Sequence, residues 1–269
     1  MKVVLFCGGL GLRLRDYSET MPKALVNIGD RPILWHLMKY YAHYGHKDFI
    51  LCLGHKARAI KEYFLHYDER LSNDFTLADG GRQVELLSSD IDDWRITFVD
   101  TGANANIGQR LKAVERYLAS EEVFLANYAD GLTDLPLPEL LDFAHRQDKV
   151  ACFVGVTPIQ SFHIISIEGD GQVRSISAVT GSDVSINGGF FVLKREIFQY
   201  LKDGEELVEK PFQRLIQEGQ LAAYRYDGFW ACMDTFKEKQ WFDDMHARGE
   251  VPWEVWRPRN HEDERGAEC

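Results

Sequence analysis

Two sets of residues in this 269-residue chain have the types and spacing to act on phosphates. The first is a glycine-rich run, Gly8-Gly9-Leu10-Gly11-Leu12-Arg13-Leu14, directly after the apolar stretch 3–7. Glycines let backbone amides approach phosphate oxygens closely, and Arg13 adds a rigid guanidinium fork. Lys23, after Pro22, adds a point charge nearby in sequence. The spacing is neither Gly-x-Gly-x-x-Gly nor a Walker loop, so the dehydrogenase and P-loop readings fail. Taken alone, the run also reads as a turn carrying one surface arginine. The second set is a pair of carboxylates. Asp130 ends the apolar run 123–129, and Asp234 stands just before a helical stretch. Magnesium commonly takes one or two protein carboxylates and completes its octahedron with water and phosphate oxygens. On the residues alone the plainer readings are favoured, Asp130 as a turn residue before Gly131 and Asp234 as a helix cap.

Positioning these groups requires a sheet. Short β-rich apolar runs at 3–7, 49–53, 95–99, 123–129 and 150–156 predict buried strands. Helical spacing predicts helices over 32–44, 57–64, 108–118 and 136–145, with Asp134 as the cap of the last. Strands alternating with helices argue for a parallel sheet covered on both faces. Loops at the carboxyl ends of such strands are where open α/β sheets bind ligands, and the glycines and Asp130 fall there. The later half changes character, with strands predicted at 163–167, 173–176, 189–193 and 221–226 and helices at 211–218 and 235–248. The fold class is α/β: a Rossmann-like, mixed, mostly parallel sheet flanked by helices, with a smaller mixed, β-rich second half. Residues 1–257 read as a single domain and the polar stretch 258–269 as a disordered tail.

Composition narrows the partners. There are 42 acidic against 31 basic residues, a net charge of -11, which repels a nucleic-acid backbone. A few local amides and cations still suffice for a nucleotide. No apolar run approaches ~20 residues, so no membrane span is expected. The five cysteines lack metal-ligand spacing, and Cys7, Cys52 and Cys152 sit in apolar runs as small core residues. Cys232 has no visible partner for a nucleophilic role. This usage, with no signal peptide, fits the cytoplasm.

The motifs, in order, resemble those of the sugar-1-phosphate nucleotidyltransferases. The likeness starts with Cys7-Gly8-Gly9-Leu10-Gly11, Arg13-Leu14 and Pro22-Lys23, and continues through Gly29-Asp30-Arg31-Pro32 and Val99-Asp100-Thr101-Gly102. Gly108 with Arg110-Leu111-Lys112 follows, then Asp130-Gly131, Ile186-Asn187-Gly188-Gly189 and Met233-Asp234-Thr235. It spans residues 1 to about 257 and is greatest to the glucose-1-phosphate cytidylyltransferase branch. The resemblance implies transfer of CMP from CTP to a sugar 1-phosphate, glucose 1-phosphate or an analogue, with release of pyrophosphate. It implies Mg²⁺ held by Asp130 and Asp234, with Arg13, Lys23 and Asp130 as the catalytic set. A nucleotide site would comprise Gly8, Gly9, Leu10, Gly11, Arg13, Lys23, Thr101, Gly102, Gly108 and Arg110. An acceptor site would comprise Tyr128, His163, Asn187, Gly188 and Gly189. It also implies a homo-oligomer.

Three departures from the family pattern fall at positions that matter. Leu12 stands where the family has a hydroxyl residue before the arginine. Phe162-His163 replaces a common Phe-Gly. Most importantly, Ser177-Ala178-Val179-Thr180-Gly181 lacks the Glu-Lys-Pro lysine that holds the sugar phosphate in the family. Glu209-Lys210-Pro211 occurs later, at the opening of a predicted helix. Arg110, Arg174 and His163 are the candidate substitutes, each equally readable as a solvated surface residue. The alternatives are therefore a cytidylyltransferase for a different small phosphorylated acceptor, or a nucleotide-binding regulatory protein without turnover. A lysine restored at Val179 is expected to raise affinity for glucose 1-phosphate if that sugar is the substrate, and no change or a loss points to another acceptor.

Overall fold

The computed structural model describes residues 1–9, 21–158, 163–179 and 184–257. In chain order the strands are β1 (Lys2–Phe6), β2 (Asn27–Ile28), β3 (Arg31–Pro32), β4 (Asp48–Leu53), β5 (Phe75–Ala78), β6 (Gln83–Leu86), β7 (Arg95–Asp100) and β8 (Val123–Tyr128). There follow β9 (Gly131–Thr133), β10 (Ala151–Val156), β11 (His163–Ile167), β12 (Val173–Ala178), β13 (Ile186–Asn187), β14 (Phe191–Lys194), β15 (Leu221–Tyr226) and β16 (Trp230–Cys232). The α-helices are α1 (Ile33–His43), α2 (Ala57–Leu65), α3 (Ile107–Val114), α4 (Leu137–Gln147), α5 (Ile197–Tyr200), α6 (Lys210–Gln217) and α7 (Phe236–Ala247).

One sheet of eight strands runs β13-β10-β14-β8-β1-β4-β7, with β15 also paired to β10. The β8-β1-β4-β7 half is parallel throughout. Beyond β8 it turns mixed, because β14 is antiparallel to both β8 and β10. The expected fold class therefore holds. Period-two alternation along β1 explains why its run is apolar at every position. Val3, Leu5 and Cys7 enter one core with Leu34, Leu37 and Phe242. Val4 and Phe6 enter the other with Leu111, Ile197 and Leu215. A strand buried on both faces must be apolar throughout. Among the described residues no helix is long and apolar enough to cross a membrane.

Several local expectations are corrected. The helix expected over 108–118 ends as an α-helix at Val114 and continues as a 3-10 turn, Glu115–Leu118. Asp134 does not cap α4, which begins after Pro136 with no side-chain cap. Its Oδ1 instead accepts from the Phe229 amide at 2.9 Å and from the Tyr226 hydroxyl. The β5–β6 hairpin and the short β9–β16 ribbon were not foreseen. The stretch 258–269 lies outside the described residues.

Candidate active site

β1 and β8 are parallel neighbours with Phe6 opposite Tyr128, so the chain leaves both strands side by side. Gly8 and Gly9 therefore emerge next to Ala129 and Asp130. Gly9, Cys7, Lys23, Ala24, Ala129 and Asp130 line one small cavity. A larger cleft, about 440 Å³, opens beside Met1, Glu122 and Val123 at the other end of β8, away from these groups.

Asp234 reaches the same place through the β9–β16 ribbon. Cys232 pairs with Gly131, and the Met233 amide donates to the Asp130 carbonyl at 2.8 Å. Two backbone segments distant in sequence are thus clamped at the residues that bear the carboxylates. The next residues fix the clamp to α7. Thr235 caps that helix in a reciprocal box with Glu238, whose Oε2 accepts from the Asp234 and Thr235 amides at 2.7 and 2.8 Å. The Thr235-x-x-Glu238 spacing carried that signal in the sequence. Thr235→Ala is expected to cost about 1 kcal/mol of stability. An unchanged denaturant midpoint would show that the cap bears no weight.

The two carboxylates converge on the ammonium of Lys23. Lys23 Nζ lies 2.6 Å from Asp130 Oδ2 and 2.5 Å from Asp234 Oδ1. Burial pulls the Lys23 ammonium down, but the charge and hydrogen bond of Asp130, then those of Asp234, outweigh it and hold the group above the ordinary lysine value. It remains charged at neutral pH. Hard oxygen donors meeting at a seat that already accommodates a cation fit a divalent ion. Among the described residues no cluster of three or more His, Cys, Asp or Glu side chains has metal-binding geometry. Two carboxylates would be within what magnesium takes from a protein. Cys232 Sγ sits 3.9 Å from Asp234 Oδ2. Burial, then the charges of Asp130, Asp234 and Glu238, push this thiol up to about 12, so it is protonated and a poor nucleophile at neutral pH.

Arg110 is only 2% exposed. Its guanidinium donates to the carbonyls of Leu53, Gly102 and Gly8 at 3.1, 3.0 and 2.8 Å, and to Thr101 Oγ1 at 2.7 Å. Thr101 Oγ1 itself donates to the Leu53 carbonyl at 2.7 Å. Arg110 thus ties the loops after β1, β4 and β7 together, beside Thr101 and Gly102. A Cβ on Gly8 would stand 2.1 Å from this guanidinium, so glycine there makes room for the arginine. The reading of Arg110 as an acceptor-phosphate cation is corrected, because its donors already serve internal oxygens. Gly108 faces the Glu205 carbonyl, 2.1 Å from where its Cβ would be, so its lack of a side chain is explained by packing against the 205–207 segment.

Among the residues expected at an acceptor site, Asn187 Nδ2 donates to the Tyr128 hydroxyl at 3.1 Å, and the Gly189 amide donates to Asn187 Oδ1 at 2.9 Å. Gly189 has φ +76°, and a Cβ there would lie 2.3 Å from Asn127 Oδ1. Trp230 Nε1 donates to the Gly188 carbonyl at 2.8 Å, which links this turn to the ribbon that carries Asp234. Nothing in the sequence singled out Trp230 or Asn127 for this role. His163 and Arg174 lie on the separate β11–β12 hairpin, where Arg174 is ion-paired with Glu168 and so is not an uncommitted cation for an acceptor. Val179 is 6% exposed. A lysine there would bury its ammonium, so the substitution suggested by the sequence is not a sound probe of acceptor binding. Leu10, Gly11, Leu12, Arg13, Phe162, Thr180 and Gly181 lie outside the described residues.

A family model described as Nucleotidyl transferase matches residues 2–243. The chain is 39% identical over 258 residues to the "Probable glucose-1-phosphate cytidylyltransferase" of Bacillus subtilis, covering 95% of this chain and 100% of that protein. It is 38% identical, with the same coverage, to the glucose-1-phosphate cytidylyltransferase of Salmonella typhi. Among solved structures it is similar to a UDP-glucose pyrophosphorylase complexed with UDP-glucose, with TM-score 0.68, 15% identity and coverage of 92% of this chain and 98% of that one.

Proposed function

The chain belongs to the nucleotidyl transferase family, and from that premise we propose that it transfers CMP from CTP to glucose 1-phosphate, using Mg²⁺ held by Asp130 and Asp234. The observation that carries the site assignment is the convergence of those two carboxylates beside the glycine-rich loop. In this reaction a phosphate oxygen of the acceptor attacks the α-phosphorus of CTP. The bond from that phosphorus to the bridging oxygen breaks, and pyrophosphate leaves, giving CDP-glucose. The acceptor is already an anion, so no general base is required and positioning with charge neutralisation supplies the catalysis. The bound metal would neutralise charge between the two reacting anions and polarise the α-phosphate.

The protein's own groups divide the remaining work. Among the described residues nothing lies within 4 Å of where a Gly9 side chain would be, which supports a phosphate approaching its backbone. Lys23, with Arg13 from the loop's continuation, binds the departing pyrophosphate. Arg110 holds the loops bearing Gly8, Thr101 and Gly102 in register for the nucleotide. Tyr128 and Asn187 form a hydrogen-bonded pair at the acceptor side, carried by a turn whose Gly188 and Gly189 pack against Val156 and Asn127.

The missing Glu-Lys-Pro lysine favours one further reading, the same donor chemistry on a different phosphorylated acceptor. A pyrophosphate-release screen crossing four nucleoside triphosphates with sugar phosphates and other small phosphates separates the two. The expected result is release with CTP and glucose 1-phosphate. Release only with another acceptor would establish the second reading. Tight CTP binding with no release in any combination would overturn both.

A further inference from the structure

The seat between Asp130 and Asp234 is small, and Lys23 is in it. The ammonium stands 2.6 and 2.5 Å from the two facing oxygens. Two carboxylates at this spacing repel each other unless a cation lies between them. A magnesium ion binds oxygens at about 2.0–2.1 Å, so it cannot reach the same two oxygens while the ammonium touches both. At those two oxygens the occupants exclude one another. The backbone of Lys23 is set in the 3-10 turn Lys23–Leu25, where Ala24 is buried, and the ammonium is carried at the end of a four-carbon stem of rotatable bonds. The same cavity is lined by Gly9, so a released ammonium is already beside the phosphate-binding loop.

We propose that Lys23 is a resident counter-ion displaced by the metal, so that metal entry and delivery of the Lys23 ammonium to the triphosphate are one linked event. The inference rests on the metal-binding reading of Asp130 and Asp234 given above. Lys23 thereby acts twice: it keeps two like charges together before the metal arrives, and it joins the phosphate-binding set only afterwards. Because the two cations compete for one seat, each weakens the other's hold there by the same factor.

The test uses the nucleotide-free protein with Mn²⁺ as probe, its binding followed by electron paramagnetic resonance. Lys23→Met removes the competing charge and is expected to bind Mn²⁺ at least about tenfold more tightly than wild type. Lys23→Arg keeps the charge and is expected to show no gain. Asp130→Asn is expected to bind at least about tenfold more weakly. Unchanged or weaker Mn²⁺ affinity in Lys23→Met, with the loss in Asp130→Asn intact, would overturn the exchange and leave the metal site standing. No loss in Asp130→Asn would overturn the metal site itself. A second measurement needs no variant. Acetylation of Lys23 in wild type, followed by mass spectrometry, is expected to speed up when Mn²⁺ is added. A rate that stays the same or falls would contradict displacement.

Discussion

Asp130→Asn is expected to lower kcat by about 10³-fold or more while changing CTP affinity less than tenfold. Asparagine keeps the size and one oxygen of aspartate but removes the charge. Asp130 leaves β8 beside the glycine loop and converges with Asp234 on one cation seat. Charge neutralisation at that seat matters most when the α-phosphorus carries both nucleophile and leaving group. The loss therefore falls on the transition state more than on binding, which also draws on the backbone of the glycine loop. Asp234→Asn is expected to behave alike, and the double substitution to cost little more than either alone, because the two act as a unit. Wild-type kcat in Asp130→Asn at saturating Mg²⁺ would refute the assignment.

Arg110→Met is expected to destabilise the protein by about 3 kcal/mol or more and to raise the KM for CTP. The methionine fills much of the same volume but supplies no donors. It would take the guanidinium's donors from the carbonyls of Gly8, Leu53 and Gly102, of which Leu53 keeps those of Thr101, in a position only 2% exposed. Those carbonyls belong to the loops after three adjacent parallel strands. Loss of the arginine should therefore loosen the nucleotide end of the sheet while the opposite end remains intact. Arg110→Lys is expected to rescue little, since a single ammonium cannot span the fork of acceptors that the guanidinium serves. A urea midpoint equivalent to a change under about 0.5 kcal/mol would show that the tie is dispensable.

The strands of the first half were legible because burial on both faces forces continuous apolar runs, as in Val3-Val4-Leu5-Phe6. The glycine loop and Asp130 could be placed at strand ends for the same reason. The meeting of Asp130 with Asp234 was not legible from local pattern. It depends on a ribbon of only three residues per strand, Gly131–Thr133 with Trp230–Cys232, too short to show a period. The family resemblance supplied that pairing. Asp134 shows the converse failure. An aspartate ahead of a helix satisfies the capping pattern, but tertiary contacts with Tyr226 and Phe229 claim its carboxylate. The Phe75–Leu86 hairpin did carry a signal, since Asp79-Gly80-Gly81 separates two alternating runs. Arg110 could not be assigned from sequence, because a buried guanidinium and a solvated one look the same in a helical heptad. Only the oxygens gathered around it distinguish them.

Anomalous diffraction from crystals grown with Mn²⁺ and CTP is the most direct examination of the site. The account predicts one strong peak about 2.0–2.3 Å from carboxylate oxygens of both Asp130 and Asp234, with the triphosphate beside Gly9 and Lys23 withdrawn from the seat. A Mn²⁺ peak distant from these carboxylates, with CTP bound and Lys23 still between them, would contradict it.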